Sequence, residues 1–524
     1  MAEPQVVVIG AGIAGLTSAL HLAHAGLPVT VVESADAPGG KLRQVMVDGA
    51  AIDSGPTVFT MKWVFDEILA RVGTQLEREL PIEPLSVIAR HAWDDGSALD
   101  LFADPGASFD AVARMAGLAE AQRFAAFCAL ARQVYDTLEG PFIRSPKSAP
   151  TRMVAQLGLR GLGVLWRIGA LQSLWQSLGR QFADARLRQL FGRYATYCGS
   201  SPWQAPATLM LIAQVEMDGV WSVRGGMHGL AQMMTRLAQA RGAVFRWGTR
   251  CEGIDCGGAG VRGVRLQGGE VLRADRVVFN GDIAALRTGL LGEQVAQAAR
   301  IAPAPRSLSA LTWSVHAPTA GFVPERHNVF FQGGYDTEFS DIFGRSRLPR
   351  KPTVYVCAQD RGNGAAPDGP ERLLCLVNAP AVGDGAGAGD ALGDEAIESC
   401  EQESFSLLRR CGLQLQPQAH QVVRTTPAQF HQLFPATGGA LYGRATHGWM
   451  SAFARPSARS RIPGLFLAGG SVHPGPGVPM AALSGQWAAA ALMDSLASTS
   501  ASRMTATSGG ISMRSAMTDS TASP

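Results

Sequence analysis

The sequence contains no Cys-x-x-Cys pair, and none of its eight cysteines stands with histidines at metal-ligand spacing. Zinc modules and dithiol redox motifs are thereby excluded, no metal is expected, and the cysteines read as reduced thiols of a cytoplasmic protein. No basic stripe with interleaved aromatics occurs, and a net charge of +3 over 524 residues leaves no footprint for nucleic acid. No nucleophile–base pair of the hydrolase kind stands out. Charge is missing altogether from residues 6–32, which contain no Asp, Glu, Lys or Arg. Hydropathy alone would make that stretch a membrane span. Its glycines, Pro28, His21 and His24 interrupt the pattern, and Glu3 rather than a basic cluster precedes it. Neither a span nor a signal peptide is expected there. Acid is missing from residues 140–183, a gap with a different meaning.

What is present is a folded-protein composition, 46% hydrophobic and 17% charged, on a chain long enough for two domains. "QVVVIGAGIAGLTSALHLAHAGLPVTVVE" predicts a strand over 5–9, a glycine turn, a helix over about 13–25 and a strand over 29–33. The turn Gly10–Ala11–Gly12–Ile13–Ala14–Gly15 follows a β-branched strand and opens a helix, and Glu33 lies 18 residues beyond Gly15. That context specifies a dinucleotide-binding βαβ unit. Gly10 permits the turn, Gly12 lets a pyrophosphate approach the backbone, and Gly15 lets helix and sheet pack closely. Glu33 would accept from the adenosine ribose hydroxyls and disfavour a 2′-phosphate.

Further anchors follow. In "SADAPGGKLRQ", Gly40 with Lys41 and Arg43 supplies a flexible strap and two cations for a buried pyrophosphate, which a flavin enzyme needs and a plain NAD enzyme does not. "AIDSGPTVF" offers the acid Asp53 and the turn Gly55–Pro56–Thr57 for backbone approach to the flavin end. "FRWGTRCEGI" reads as a strand able to clamp the adenine near Cys251, and "LRADRVVFNGD" as a strand closing on Gly281–Asp282. "GLFLAGGSVHPGPGVPMAALSGQWAAAAL", residues 464–492, reads as the last strand and helix of the same domain. Pro479 fits a first helical turn. Gly470, Val478, Pro479 and Met480 would direct the positive helix end at the flavin N1–C2=O edge. One FAD then explains glycine loops at opposite ends of the chain.

These motifs, with "HNVFF" (327–331), "PTVYVCAQDR" (352–361) and "HPGPGVPM" (473–480), resemble the bacterial carotenoid (phytoene-type) desaturases over roughly residues 4–492. "IDSGPTVFTMKWVFDEIL" and "HPGPGVPM" are most similar to the hydroxyneurosporene (methoxyneurosporene) desaturase subgroup of purple photosynthetic bacteria. The resemblance implies an FAD enzyme that introduces a double bond into an acyclic polyene. In this subgroup that is 3,4-desaturation of 1-hydroxy or methoxy carotenoids on the way to spheroidene or spirilloxanthin. A phytoene desaturase, a carotenoid isomerase and a flavin amine oxidase remain the alternatives.

The expected fold is α/β: a Rossmann-type FAD domain in three segments (1–84, 220–294 and 451–494) with an inserted mixed α+β substrate domain (85–219 and 295–450). Residues 495–524 read as a disordered tail. Desaturation removes a hydride and a proton from adjacent carbons, so the chain must supply orientation, a dry tunnel and a weak proton acceptor. His473 and Asp53 are the candidate acid–base residues, though each also reads as loop structure. "FGRYATYCGSSPWQAPA" (191–207) reads as a tunnel wall, its Tyr194, Tyr197 and Trp203 as core or ligand contacts. Residues 140–183 carry Arg144, Lys147, Arg152, Arg160, Arg167 and Arg180 among Leu, Trp166 and Trp175. That composition predicts an interfacial segment holding the protein peripherally on the cytoplasmic face of the inner or photosynthetic membrane. A second copy of the chain is left open as a further partner.

Overall fold

Val6–Ile9 is a run of β-branched residues buried along its whole length, as an interior parallel strand requires. It pairs in parallel with Val29–Val32 on one side and Arg276–Phe279 on the other. Val244–Arg246 and Leu465–Leu467 complete a five-stranded parallel sheet, in the order 465–467, 276–279, 6–9, 29–32, 244–246. The computed structural model describes residues 4–146, 150–258, 260–299, 304–362, 364, 367–385 and 392–508, with backbone alone for 150–154 and 499–508.

Alternate side chains of the sheet feed different cores. Val6, Val8, Val29 and Val31 pack under the first helix (Ile13–His24), the helix His228–Gln239 and the last helix (Val478–Ser508). Val7, Ile9 and Val32 pack against a three-stranded antiparallel sheet, Cys251–Gly257, Gly260–Leu266 and Val271–Arg273. The second major layer is a seven-stranded mixed sheet. Its long central strands, Ser309–Ala317 and Glu371–Ala379, pair antiparallel over their full length and pack Leu311, Trp313 and Val315 against the helix Asp394–Arg410. Near Val87–Trp93, helices Leu118–Leu138 and Ala185–Gly192 build an aromatic core. There Phe191 lies 4.5 Å from Phe127 and 5.2 Å from Phe182, ring centre to ring centre.

Two sequence expectations change. The last helix runs to Ser508, past position 495 where the tail was expected to begin; residues 509–524 lie outside the described set. The basic stretch 140–183 is not one amphipathic segment. Helix Pro150–Ile168 is kinked at Gly158, and a separate helix, Leu174–Gln181, is capped by Ser173 and buries Leu174 and Leu178. Trp175 turns inward, 4.4 Å from the Trp203 ring, whereas Leu159, Trp166 and Leu171 are 89%, 85% and 76% exposed. Arg144 pairs with Glu67 and Glu139, and Arg167 with Gln133. Lys147 and the Arg152 side chain lie outside the described residues.

Candidate active site

The glycine turn sits at the carboxyl end of the parallel sheet, where open α/β sheets place their ligands. Gly10 has φ +97°, a left-handed conformation costly for any side chain. Gly12 and Gly15 are required by a neighbour that the sequence reading did not single out. Asn280, at the end of strand Arg276–Phe279, donates from Nδ2 to the Gly10 carbonyl at 3.1 Å. A Cβ on Gly12 would lie 2.9 Å from that nitrogen, and one on Gly15 2.7 Å from it. Gly12 therefore makes room for the protein's own amide as well as for any ligand. The first helix begins there with no side-chain cap and no acid in its first turn, so its leading N–H groups remain available to an anion.

Glu33 is buried beside this turn. Its Oε2 accepts the Ala11 N–H at 2.7 Å and its Oε1 the Ala35 N–H at 2.8 Å. Ser34 Oγ also donates to Oε1 at 3.1 Å, so it is Oε2 that keeps a lone pair for a ribose hydroxyl. The Glu33 carbonyl accepts Thr249 N–H at 2.8 Å, bringing the start of strand Cys251–Gly257 alongside. The Cys251 thiol, pushed up to about 11 by burial, stays protonated.

The second strap closes over the first. Gly39 N–H donates to the Ala11 carbonyl at 2.8 Å, and Gly40 packs on Gly12, its missing Cβ 3.4 Å from the Gly12 Cα. Gly55 lies on the Lys41 backbone, where a Cβ would come 2.9 Å from the Lys41 carbonyl carbon. The Lys41 ammonium reaches across to the Leu441 carbonyl. It is fully enclosed, forms no ion pair among the described residues, and has its pKa lowered by burial, with Asp282 opposing and Arg455 reinforcing the shift. Arg455 donates to the Gly470 carbonyl at 3.0 Å and the Arg444 carbonyl at 3.1 Å; burial brings its pKa down to about 10. Two enclosed cations thus share one nearby carboxylate, Asp282, an arrangement that favours an added anion. Arg43 turns away: it donates to Thr425 Oγ1 at 3.0 Å and lies over the Phe430 ring. It joins the nucleotide strap to the seven-stranded sheet instead of facing the turn.

The two acid–base candidates are engaged by the backbone. Asp53 accepts from the Met227 N–H and from Gln44 Nε2, and its own peptide exchanges hydrogen bonds with the Gln359 amide at 3.0 and 2.8 Å. His473 Nε2 lies 3.0 Å from the Ser145 carbonyl, and its ring stacks on Trp487 and meets Phe142 edge-on. Both geometries are those of residues that fix loops.

The last helix reaches the site by crossing the first. Gly485 rests on Ala14, and Ser18 Oγ donates to the Gly485 carbonyl at 2.9 Å. Val478, Pro479 and Met480 form its first turn, again without an acid. On the substrate side, Thr57 shares a 2.7 Å hydrogen bond with the Tyr355 hydroxyl. Tyr194 and Tyr197 both donate to Glu216, a buried acid with no sequence signal beyond its isolation in an apolar helix. Trp203 packs in a box with Trp175, Tyr335 and Phe339.

Comparison with known proteins adds the chemistry. The family profile "Flavin containing amine oxidoreductase" matches residues 13–493. The chain is 59% identical to a hydroxyneurosporene desaturase of Rubrivivax gelatinosus, over 99% of both chains. It is 43% identical to that of Cereibacter sphaeroides, over 95% of this chain and 99% of the other. A 1-hydroxycarotenoid 3,4-desaturase of a Flavobacterium species is 28% identical over 92% and 97%. Among solved structures, putrescine oxidase bound to putrescine superposes with a TM-score of 0.57 at 17% identity, over 94% of this chain and 99% of that one, which establishes a shared fold. The chain belongs to the flavin-containing amine oxidoreductases, among the carotenoid desaturases, and is an FAD-dependent oxidoreductase.

Proposed function

We propose that this protein introduces the 3,4 double bond into an acyclic carotenoid carrying a 1-hydroxy or 1-methoxy end group, in carotenoid biosynthesis. The observation that carries this reading is the 59% identity, over 99% of each chain, to a protein named hydroxyneurosporene desaturase. When bound, FAD supplies the hydride acceptor. The residues present fit it. The glycine turn and the uncapped start of the first helix would hold the pyrophosphate, Glu33 the ribose, and Lys41 a share of the negative charge. The turn Gly55–Pro56–Thr57 and the helix start Val478–Pro479–Met480 would flank the ring. A positive charge developing on the polyene is spread by conjugation, so the chain needs only a weak proton acceptor.

A substrate of this kind is supplied from a bilayer. No helix of the described residues is long and apolar enough to cross one. The exposed Leu159, Trp166 and Leu171, with Arg160 between them, suit shallow insertion from the cytoplasmic face of the inner or photosynthetic membrane. The test is absorbance of 1-hydroxyneurosporene or phytoene in liposomes incubated with the FAD-loaded protein. A red shift with the hydroxylated substrate alone is the expected result. A shift with phytoene alone would move the reaction to an early desaturation. No shift with either, alongside peroxide release from amines, would replace the reading by amine oxidation. The Leu159→Glu, Trp166→Glu double variant should turn over detergent-dispersed substrate normally while losing flotation with anionic liposomes.

A further inference from the structure

The substrate side of the protein is lined by Phe, Leu and Trp, yet a guanidinium stands in its interior. Arg193 follows the helix Ala185–Gly192 and opens the short helix Arg193–Cys198. Its guanidinium carbon lies 5.4 Å from the ring centres of both Tyr197 and Tyr355. It forms no salt bridge among the described residues. The nearby acid, Glu216, is already occupied, accepting Tyr194 OH at 2.6 Å and the Tyr197 hydroxyl on its other oxygen. The Tyr355 hydroxyl is fixed in turn by Thr57 Oγ1 at 2.7 Å and His327 Nδ1 at 2.8 Å. Burial works against the charge, but the oxygens of Tyr197, Glu216 and Tyr355 outweigh it and hold the Arg193 pKa above its ordinary value. The result is a permanently charged, donor-only group with ordered oxygens around it, whose nearby carboxylate, Glu216, is already taken by two tyrosine hydroxyls.

Its place in the fold gives it meaning. Thr57 ends the turn that rests on the Lys41 backbone. On the other side, Gly199 packs on Tyr442, whose neighbour Leu441 receives the Lys41 ammonium. The cluster therefore stands where the nucleotide straps meet the substrate core. Arg193, Tyr197, Tyr355 and Tyr442 are enclosed by protein yet only half-buried at their own surfaces, so they face an internal space. Tyr197 answers one guanidinium donor, and a hydrocarbon entering that space would leave the others without an acceptor. An end group with one oxygen would not, and a tertiary alcohol and a methyl ether both offer the lone pairs required.

We propose that Arg193, with the Tyr355 hydroxyl beside it, seats the oxygen of the substrate's end group and so sets both the preference for oxygenated ends and the position of desaturation. The proposal rests on the carotenoid reading above. The oxygen is carried on C1, and C3 is only two bonds away. An anchor for C1 beside the nucleotide straps therefore presents C3–C4, and not a bond near the middle of the chain, to the redox site. A site built around hydrogen-bond donors rejects the analogue lacking the acceptor more strongly than an apolar site discriminates by shape.

The experiment compares 1-hydroxyneurosporene with neurosporene in liposomes for the wild type, Arg193→Met, Arg193→Lys and Tyr355→Phe, each loaded with FAD and checked for flavin content and melting temperature. In Arg193→Met the ratio of kcat/KM for the two substrates should fall roughly 100-fold, through loss on the hydroxylated substrate with neurosporene unchanged or improved. Arg193→Lys should recover part of the ratio, and Tyr355→Phe should lower it about 10-fold. An equal loss on both substrates, or an unchanged ratio, overturns the proposal. Should Arg193→Met fail to fold, Tyr355→Phe, which removes one oxygen and little volume, decides by the same criterion. If the wild type converts neither carotenoid, the functional reading fails by itself. Quenching of tryptophan fluorescence by the two polyenes then still reads the seat, and equal affinity for both overturns it.

Discussion

Gly485→Ala tests the reasoning that joins the two ends of the chain. The first and last helices cross where Gly485 lies on Ala14. A Cβ added there would fall 2.8 Å from the Ala14 carbonyl carbon and 2.9 Å from its Cα, nearer still to the oxygen. Ordinary contact begins near 3.4 Å, and the atoms met are backbone inside two packed helices, so the helices must separate by a sizeable fraction of an ångström. Overpacking of this kind costs about 1–3 kcal/mol. Separation also stretches the 2.9 Å hydrogen bond from Ser18 Oγ to the Gly485 carbonyl, worth about 1 kcal/mol more. The helix that moves begins at Val478–Met480, so FAD retention should fall together with stability. Gly179→Ala is the control: Gly179 is helical, and a Cβ there would meet nothing within 4 Å. It should be neutral or stabilise by up to about 1 kcal/mol. Thermal unfolding followed by release of flavin fluorescence, with the 450 nm to 280 nm absorbance ratio after purification, measures both effects. Wild-type melting and flavin content in Gly485→Ala would refute the close crossing.

Lys41→Met keeps the volume and removes the enclosed cation; FAD should bind roughly 10- to 100-fold more weakly, by titration of the apoprotein, and an unchanged Kd would remove Lys41 from the site. His91 is buried, donates from Nδ1 to the Leu99 carbonyl, and has its pKa pushed down to about 3 by burial and then by the Arg193 charge. Below pH 6.5 the unfolded chain therefore binds more protons than the folded one, and stability present above that pH is lost as it falls toward 3, by about 1.4 kcal/mol per pH unit for this residue. His21 and His447, both lowered to about 4 by burial, add to the slope. Urea midpoints at pH 7, 6 and 5 should fall in the wild type and fall less in His91→Gln; parallel slopes would contradict the assignment.

Legibility followed the sequence distance over which each feature is decided. The strand, turn and helix at 6–24 are specified within twenty or so residues, by β-branched side chains and by glycines whose spacing is itself the geometry. Glu33 is read the same way, since the strand after the helix fixes its reach, and Pro479 reads as a helix start from its own ring. The strand Arg276–Phe279 was readable as a strand, but not the use of Asn280 at its end to fill the space over Gly12 and Gly15. Arg43 and Lys41 have the same charge and lie two positions apart. Only the approach of Thr425, at the end of a strand, and Phe430, on the helix after it, draws one toward the seven-stranded sheet while the other stays enclosed against Leu441. Asp53 reads in the sequence as either a loop anchor or a proton acceptor, and its partner, the peptide of Met227, comes to it from 174 positions away.

The sequence by itself determined the parallel nucleotide sheet, the glycine turn and its acid, the family and the cofactor class. Each depends on residue type and short spacing, which the chain carries wherever it folds. The tertiary structure decided which charges are buried together, which loops Asp53 and His473 hold, and how Thr57, Arg193, Tyr197, Glu216 and Tyr355 come to one place. Burial and hydrogen-bond partners are properties of atoms that meet only when distant segments pack, and no local pattern records them.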